Sequence, residues 1–492
     1  MDSQPQASSS VTTSQYHHYI PQFILKNFAH PFQPQQVAKG HKQRGKPKWK
    51  KGYRPGDPML YTIGLASPEP KIDESPVSRT FGRMDMYRDF GNAPNQHYIE
   101  QKLSRLESDA ARIIKKIRDD YEAGRPETCL VRSDRDKLRK FLFVMKYRGR
   151  NQHRRFYHQE AKDYCANDQE KLQKYMREKG FKKPVDVWFN NIKTLLEMEM
   201  DPGQNWMKEL RERIYPDDAQ WAIAHMQMMY LCICVPGTET DEFILTENAY
   251  GIHEGPNSST VNPVTGEETG AYTEYHVFGP VSQKIMFVLR SFLLPVPEED
   301  ADEATKEWRQ SMYRLNTEQH NDPSRANSSL EDLPVTKARN SYTTIHDGKL
   351  VLKPGEDGTE RAYHKFYFKF SPIPTDHVDR INSIMLEESY RISTIVFGSK
   401  TAIRRTLESY LTIIPKRNVT YGMKIVTNAP DDARLLCLKK LEQAARMLGS
   451  DVAAVYHIDD SVDEQLEHLS QLLERALPGE PTDFMRLYMK LG

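Results

Sequence analysis

Cysteine is scarce in this chain of 492 residues, with five in all: Cys129, Cys165, Cys232, Cys234 and Cys437. The number is odd and no spacing fits a zinc or redox motif. That excludes a disulfide framework as the simple reading and favours reduced thiols in the cytosol or nucleus. Long apolar runs are also missing. None approaches the ~20 residues of a membrane-crossing helix, so no membrane partner is expected. The opening MDSQPQASSSVTTS has neither a basic start nor an apolar centre, so no secretory leader is expected. An excess of one charge is missing too. Lys+Arg total 69 and Asp+Glu 68, a net charge of +1, which argues against a surface that is basic everywhere and coats nucleic acid. Phosphate-loop, dinucleotide, Gly-x-Ser-x-Gly and His-Glu-x-x-His signatures do not occur. Cys232-x-Cys234 alone makes no metal site, so the sequence names no metal ligand and no cofactor.

What is present is enough apolar residue for a core (38 %) and a strong helical pattern. Residues 1–14 are Ser/Gln/Thr-rich and read as a disordered tail. Residues 15–400 read as one domain with insertions at about 39–56, 158–200 and 297–340, and 401–492 as a helical extension. Over 97–123, Ile99, Leu103, Leu106, Ala110, Ile113 and Ile117 keep one seam of an amphipathic helix, which Gly124 and Pro126 end. A second helix is expected from Ser133, with Asp136 in the capping-box position, through Leu138, Phe141, Leu142 and Met145 toward Phe156. The charged 158–200 region is expected to be helical and outside the main core. Strands are expected at 228–235, 242–246, 275–278 and 284–290, with another at 363–370. Further helices are expected at 376–397, 400–411, 430–448 and 462–477, the last opened by Ser461-x-x-Glu464. These elements predict an α+β fold, predominantly helical, with helices packed around a small, mostly antiparallel sheet and long loop insertions.

Chemistry is sought where an apolar stripe turns polar. On the second helix the core face continues into Arg148 and Gln152, at steps of three and four. A guanidinium leaving a core face needs a buried carboxylate or an anionic ligand. Glu100 and Glu107 flank the seam of the first helix, and one of them is expected to pair with an arginine such as Arg148. On the 376–397 helix, Asn382 and Ser389 fall near the centre of the buried face, where an amide either fixes a loop or orients a site. His17 and His18 sit on an extended segment, so their rings should point to opposite faces, and one of the two could act as a base. Thr246, Asn248 and Ser282 lie at strand ends, where both turns and binding sites occur. The run Lys39 to Arg54 carries eight Lys or Arg and no acid. It reads as a solvated loop, or as a nuclear-import or phosphate-contacting segment for nucleic acid or a phosphorylated ligand, to which Trp49 and Tyr53 could add stacking.

The segment His17-His18-Tyr19-Ile20-Pro21-Gln22-Phe23-Ile24-Leu25-Lys26-Asn27-Phe28 resembles the opening His-x-Tyr-x-Pro-x-x-x-Leu-x-x-Phe pattern of the DUF4238 family, a domain of unknown function. Ile99-Glu100 and Leu106-Glu107 resemble its glutamate-bearing helix, and Arg148 its following arginine. Phe243 to Ala249, Gly279-Pro280-Val281-Ser282 and Asp379-Arg380-Ile381-Asn382 resemble its later segments. Glu247 stands where the pattern has Asp, and Ala249 where it has Pro. The resemblance spans about 15–400 and implies positions rather than a reaction.

Two functions are therefore expected to compete. One is a hydrolase-like enzyme with a polar pocket for a phosphorylated or nucleic-acid ligand. In it His17 or His18 is the base, Arg148 holds the anion, and Gln152, Thr246, Asn248, Ser282 and Asn382 line or position the site. The other is a non-catalytic binding or interaction protein in which the same polar groups form a structural network.

Overall fold

The computed structural model describes residues 14–33, 53–91, 95–164, 166, 168–261, 268–320, 322–346, 349–415 and 423–459. Most of the basic run Lys39 to Arg54, the 462–477 helix and most of the N-terminal tail lie outside these residues.

The long helix Tyr98–Glu122 buries all six seam residues read from the sequence, and Ile114 with them. Each fully buried Leu or Ile contributes roughly 1.5–3 kcal/mol, so this seam is a major anchor. Its end follows from glycine. Gly124 adopts φ +69°, and the amides of Gly124 and Arg125 reach back to the carbonyls of Tyr121 and Asp120. That is the Schellman arrangement, which satisfies carbonyls the helix leaves open. The second helix, Arg132–Tyr147, starts one residue before Ser133 and has no side-chain cap. It also stops at Arg148 and Gly149, and a separate helix, Arg150–Phe156, follows. The region expected outside the core is not outside it. The helix Pro184–Glu197 packs on the long helix and buries Trp188, Ile192 and Leu195.

The expected small sheet around a predominantly helical body is corrected by the strands. The described residues are mixed, 43 % helical and 21 % strand, with a seven-stranded mixed sheet among several sheets. The larger sheet runs Arg339–Asn340, Lys365–Ile373, Met229–Pro236, Ile285–Ser291, His276–Ser282, His253–Glu254, and Glu127–Val131 also pairs with Lys365–Ile373. Met229–Pro236, His276–Ser282 and Ile285–Ser291 are buried at every position. Their sequences therefore read as continuous apolar runs rather than alternation. Lys365–Ile373 joins Met229–Pro236 in parallel, with Phe370 opposite Ile233. A second, five-stranded sheet orders His30–Pro31, Pro58–Gly64, Thr394–Phe397 and Leu245–Thr246, with Lys71–Pro76 beside Pro58–Gly64. Its strand Thr394–Phe397 takes the place of the last turns of the expected 376–397 helix, which ends at Glu387. Beyond it, Lys400–Thr412 and Ala433–Met447 are helices, as their periodicity predicts.

Candidate functional site

The strand Tyr16–His18 pairs antiparallel with Gly82–Met84, His17 opposite Arg83. The pairing is close: a Cβ at Gly82 would lie 2.7 Å from the His17 carbonyl, so only glycine fits there. The two histidines do point to opposite faces. His17 is 2 % exposed, its ring stacks on Tyr87 at 5.5 Å, and its Nδ1 accepts the Tyr87 amide at 3.0 Å. A neutral ring accepting at Nδ1 carries its proton on Nε2, and that atom has no partner among the described residues. Burial holds the His17 imidazole below its ordinary pKa, against a raising effect of Asp85. His18 is half-buried, with Nε2 3.3 Å from the Val77 carbonyl and its ring edge-on to Tyr16.

Arg148 is 1 % exposed. It donates to Glu107 at 2.5 Å and to the Tyr19 carbonyl at 3.1 Å, and it sits 5.9 Å above the Tyr87 ring. The expected carboxylate–arginine pair is thus present. Burial opposes the charge of Arg148, but Glu107, Tyr87 and Glu100 outweigh it and raise its pKa. Glu100 is pushed up by burial and then by Glu107, with Arg148 in opposition. His18 thus lies toward Arg148 and Glu107, with Glu100 beside them, while His17 packs on the opposite face against Tyr87.

The other expected residues do not join them. Asn382 receives the Ile244 amide at 3.2 Å and donates to the Glu242 carbonyl at 2.8 Å, so it pins the approach to the strand Leu245–Thr246. Ser389 donates back to the Met385 carbonyl. Ser282 accepts the Lys284 amide in a turn. Thr246 donates to Asn248, whose amide donates to the Glu388 carbonyl. Gln152 and Asn248 share a small cavity of about 160 Å³ with Tyr19, Lys146, Trp221, Tyr250 and Tyr272.

A larger cleft of about 760 Å³ lies against the same wall, lined by Tyr19, Gly82, Arg83, Met86, Arg150, Arg154, Tyr157, His158, Glu247 and Ser393. The helix Arg150–Phe156 places Arg150 and Arg154 four residues apart, hence on one face. Arg83 comes from the strand opposite, its guanidinium 5.5 Å above the Tyr157 ring. Glu247, the one carboxylate of the lining among the described residues, is 4 % exposed. It accepts from Arg150, from the Ser393 amide at 2.9 Å and from the Ser393 hydroxyl at 2.5 Å. The Tyr19 hydroxyl also reaches Glu247, and burial first, then this carboxylate, raises the phenol's pKa. Arg83 and Arg154 have no carboxylate partner among the described residues. These cleft arginines were missed by reasoning from apolar faces. Their signal is the stretch Arg148 to His158, four arginines with no acid.

A family model described as "Protein of unknown function (DUF4238)" matches residues 16–401. The chain belongs to the DUF4238 family. The match includes the first strand, the glutamate-bearing helix and the whole cleft lining. No solved structure matches the chain. Among the described residues, no group of three His, Cys, Asp or Glu is placed to hold a metal ion, and no helix is long and apolar enough to cross a membrane.

Proposed function

We propose that this DUF4238 protein binds a phosphorylated ligand in the 760 Å³ cleft, and that it does so as a binding protein. The observation that carries this is the arginine count. Arg83, Arg150 and Arg154 face one cavity with a single carboxylate among the described residues, and that carboxylate is already engaged by Ser393 and Arg150. Guanidinium forks match phosphate oxygens bidentately and keep their charge at any working pH. The volume falls inside the roughly 300–1,000 Å³ of small-molecule sites. A hydrolase needs a base beside the anion. His17 and His18 stand behind the wall rather than in the cleft lining, so the binding reading is favoured over the one that gives either of them that role. Arg148 likewise serves Glu107 and Tyr19 rather than the cleft. The free thiols of Cys129, Cys232, Cys234 and Cys437 suit the cytosol or nucleus.

Calorimetric titration with inorganic phosphate tests the proposal. Wild type should bind with an affinity that falls as salt rises, and Arg83→Ala/Arg154→Ala should bind at least about tenfold more weakly, about 1.4 kcal/mol. Equal binding by the two proteins would remove the cleft from consideration. Release of product from p-nitrophenyl phosphate would move the reading from binder to hydrolase, with His158 as the imidazole on the cleft wall. An oligonucleotide titration covers the Lys39 to Arg54 run.

A further inference from the structure

The cleft and the smaller cavity share three lining residues, Tyr19, Arg150 and Glu247. The Arg150–Glu247 ion pair therefore stands where the two meet. On the cleft side the lining offers guanidiniums. On the other side it offers the rings of Trp221, Tyr250 and Tyr272 and the amide of Gln152.

Gln152 is the informative group. Its Nε2 is buried with no hydrogen-bond partner among the described residues, whereas the amide of Asn248 in the same cavity is satisfied by Glu388. A buried donor left open costs on the order of 1–3 kcal/mol, a cost removed when the Gln152 amide turns into the cavity to meet a ligand acceptor. The volume restricts what that ligand is. A cavity of about 150 Å³ holds one benzene ring, and this one has about 160 Å³. One ring fills a space of this size, and a fused pair would project from its open mouth. Aromatic walls favour a flat ring, because stacking on Trp and Tyr faces stabilises it by roughly 1–3 kcal/mol.

Resting on the phosphate reading of the cleft, we infer that the ligand is bipartite. Its phosphate meets Arg83, Arg150 and Arg154, and a single polar ring enters the smaller cavity to accept from Gln152. A pyrimidine nucleoside monophosphate has this form: a phosphate, a sugar spacer and one ring carrying carbonyl acceptors. Lys146 does not compete for the phosphate, since its ammonium is paired with Glu274.

The test is a ligand ladder on the full-length protein, read by calorimetry and by tryptophan fluorescence. Trp221 sits in the smaller cavity, so ring entry should change its emission, and Trp221→Phe should abolish that change. Uridine monophosphate should bind at least tenfold tighter than ribose phosphate, and adenosine monophosphate should show no such gain. Gln152→Ala should narrow the uridine-to-ribose ratio at least fivefold. Equal affinity for uridine monophosphate and ribose phosphate overturns the ring site while leaving the phosphate site standing. An equal gain with adenosine monophosphate overturns the single-ring assignment. Failure of ribose phosphate and inorganic phosphate alike overturns both readings.

Discussion

Two regions of this protein are built from the same residue types and end in opposite states. In the large sheet, Glu254, His276 and Arg290 form a buried network in which only the Arg290 Nε lacks a hydrogen-bond partner among the described residues. Arg290 donates to His276 Nε2 at 2.9 Å and to the carbonyls of Leu330 and Glu331. Arginine can only donate, so His276 must accept at Nε2 and give its Nδ1 proton to Glu254, 2.8 Å away. Glu254 is completed by Ser328 and by the Ser329 amide at 2.6 Å. In the cleft, Arg83 and Arg154 have no carboxylate partner among the described residues. The difference teaches that residue type does not mark a site. What the cations face does: an arginine set among buried acceptors holds a fold, and a cluster of like charges left open to a cavity invites a ligand.

The sharpest way to break this comparison is to cut the buried network. Arg290→Ala leaves Glu254 and His276 buried with a partner missing, and removal of one member of a buried pair costs about 3–5 kcal/mol. Urea unfolding should show a loss of that size. Glu254→Ala should cost a similar amount, and the double variant less than their sum, because both act on one network. A loss below about 1 kcal/mol for Arg290→Ala would mean the interior network does not hold the segment Ser328 to Glu331 in place.

His153 tests the boundary between the two regimes. Its ring packs on Tyr157, which lines the cleft, and edge-on to Trp188, which is in the core. Burial first, then Arg83, lowers its pKa to about 4. Between that value and the ordinary ~6.5, the unfolded chain takes up a proton that the folded one refuses. Stability from this group is therefore fully present above about pH 6.5 and is lost as pH falls toward 4, by up to about 3 kcal/mol. Unfolding of wild type and His153→Phe at pH 7, 5.5 and 4 should show wild type losing ground steadily to the variant. Parallel curves would place the ring in solvent-like surroundings.

Much of the fold was legible, and the failures share a cause. The helix Tyr98–Glu122 was read because one face meets the core and the other meets water, so its period is printed in the sequence. Met229–Pro236, Ile285–Ser291 and Lys365–Ile373 all fall on expected strands, but burial at every position of the first two erases alternation, and spacing does not show the size of the sheet or the parallel pairing of the third. Ile392 and Val396 continue the helical spacing of Val378, Ile381 and Met385, yet Val396 is on a strand beside Thr62. Spacing alone cannot report a chain that turns between two core contacts. At the site, following apolar stripes led to Arg148 and Asn382, which are buried and used by the fold. The cleft arginines sit on an exposed face, where an apolar stripe gives no guide. The break at Gly149 also turned Gln152 away from the core face of the second helix and into the smaller cavity.

The smallest effect is the most discriminating. Arg154 is exposed and has no ion pair among the described residues. Its removal takes away no buried contact, so Arg154→Ala should change unfolding stability by no more than about 0.5 kcal/mol. Relief of repulsion from Arg150, four residues away on the same face, should make that change favourable by about a few tenths of a kcal/mol. Added phosphate should reverse the order of the two proteins. A ligand that binds only the folded state stabilises it by RT ln(1 + [L]/Kd), and the variant, with weaker affinity, gains less. Thermal unfolding of both proteins across a phosphate series reads this crossing directly. Parallel rises in melting temperature would show that Arg154 does not face the anion, and would shift the cleft toward the kind of network seen around Arg290.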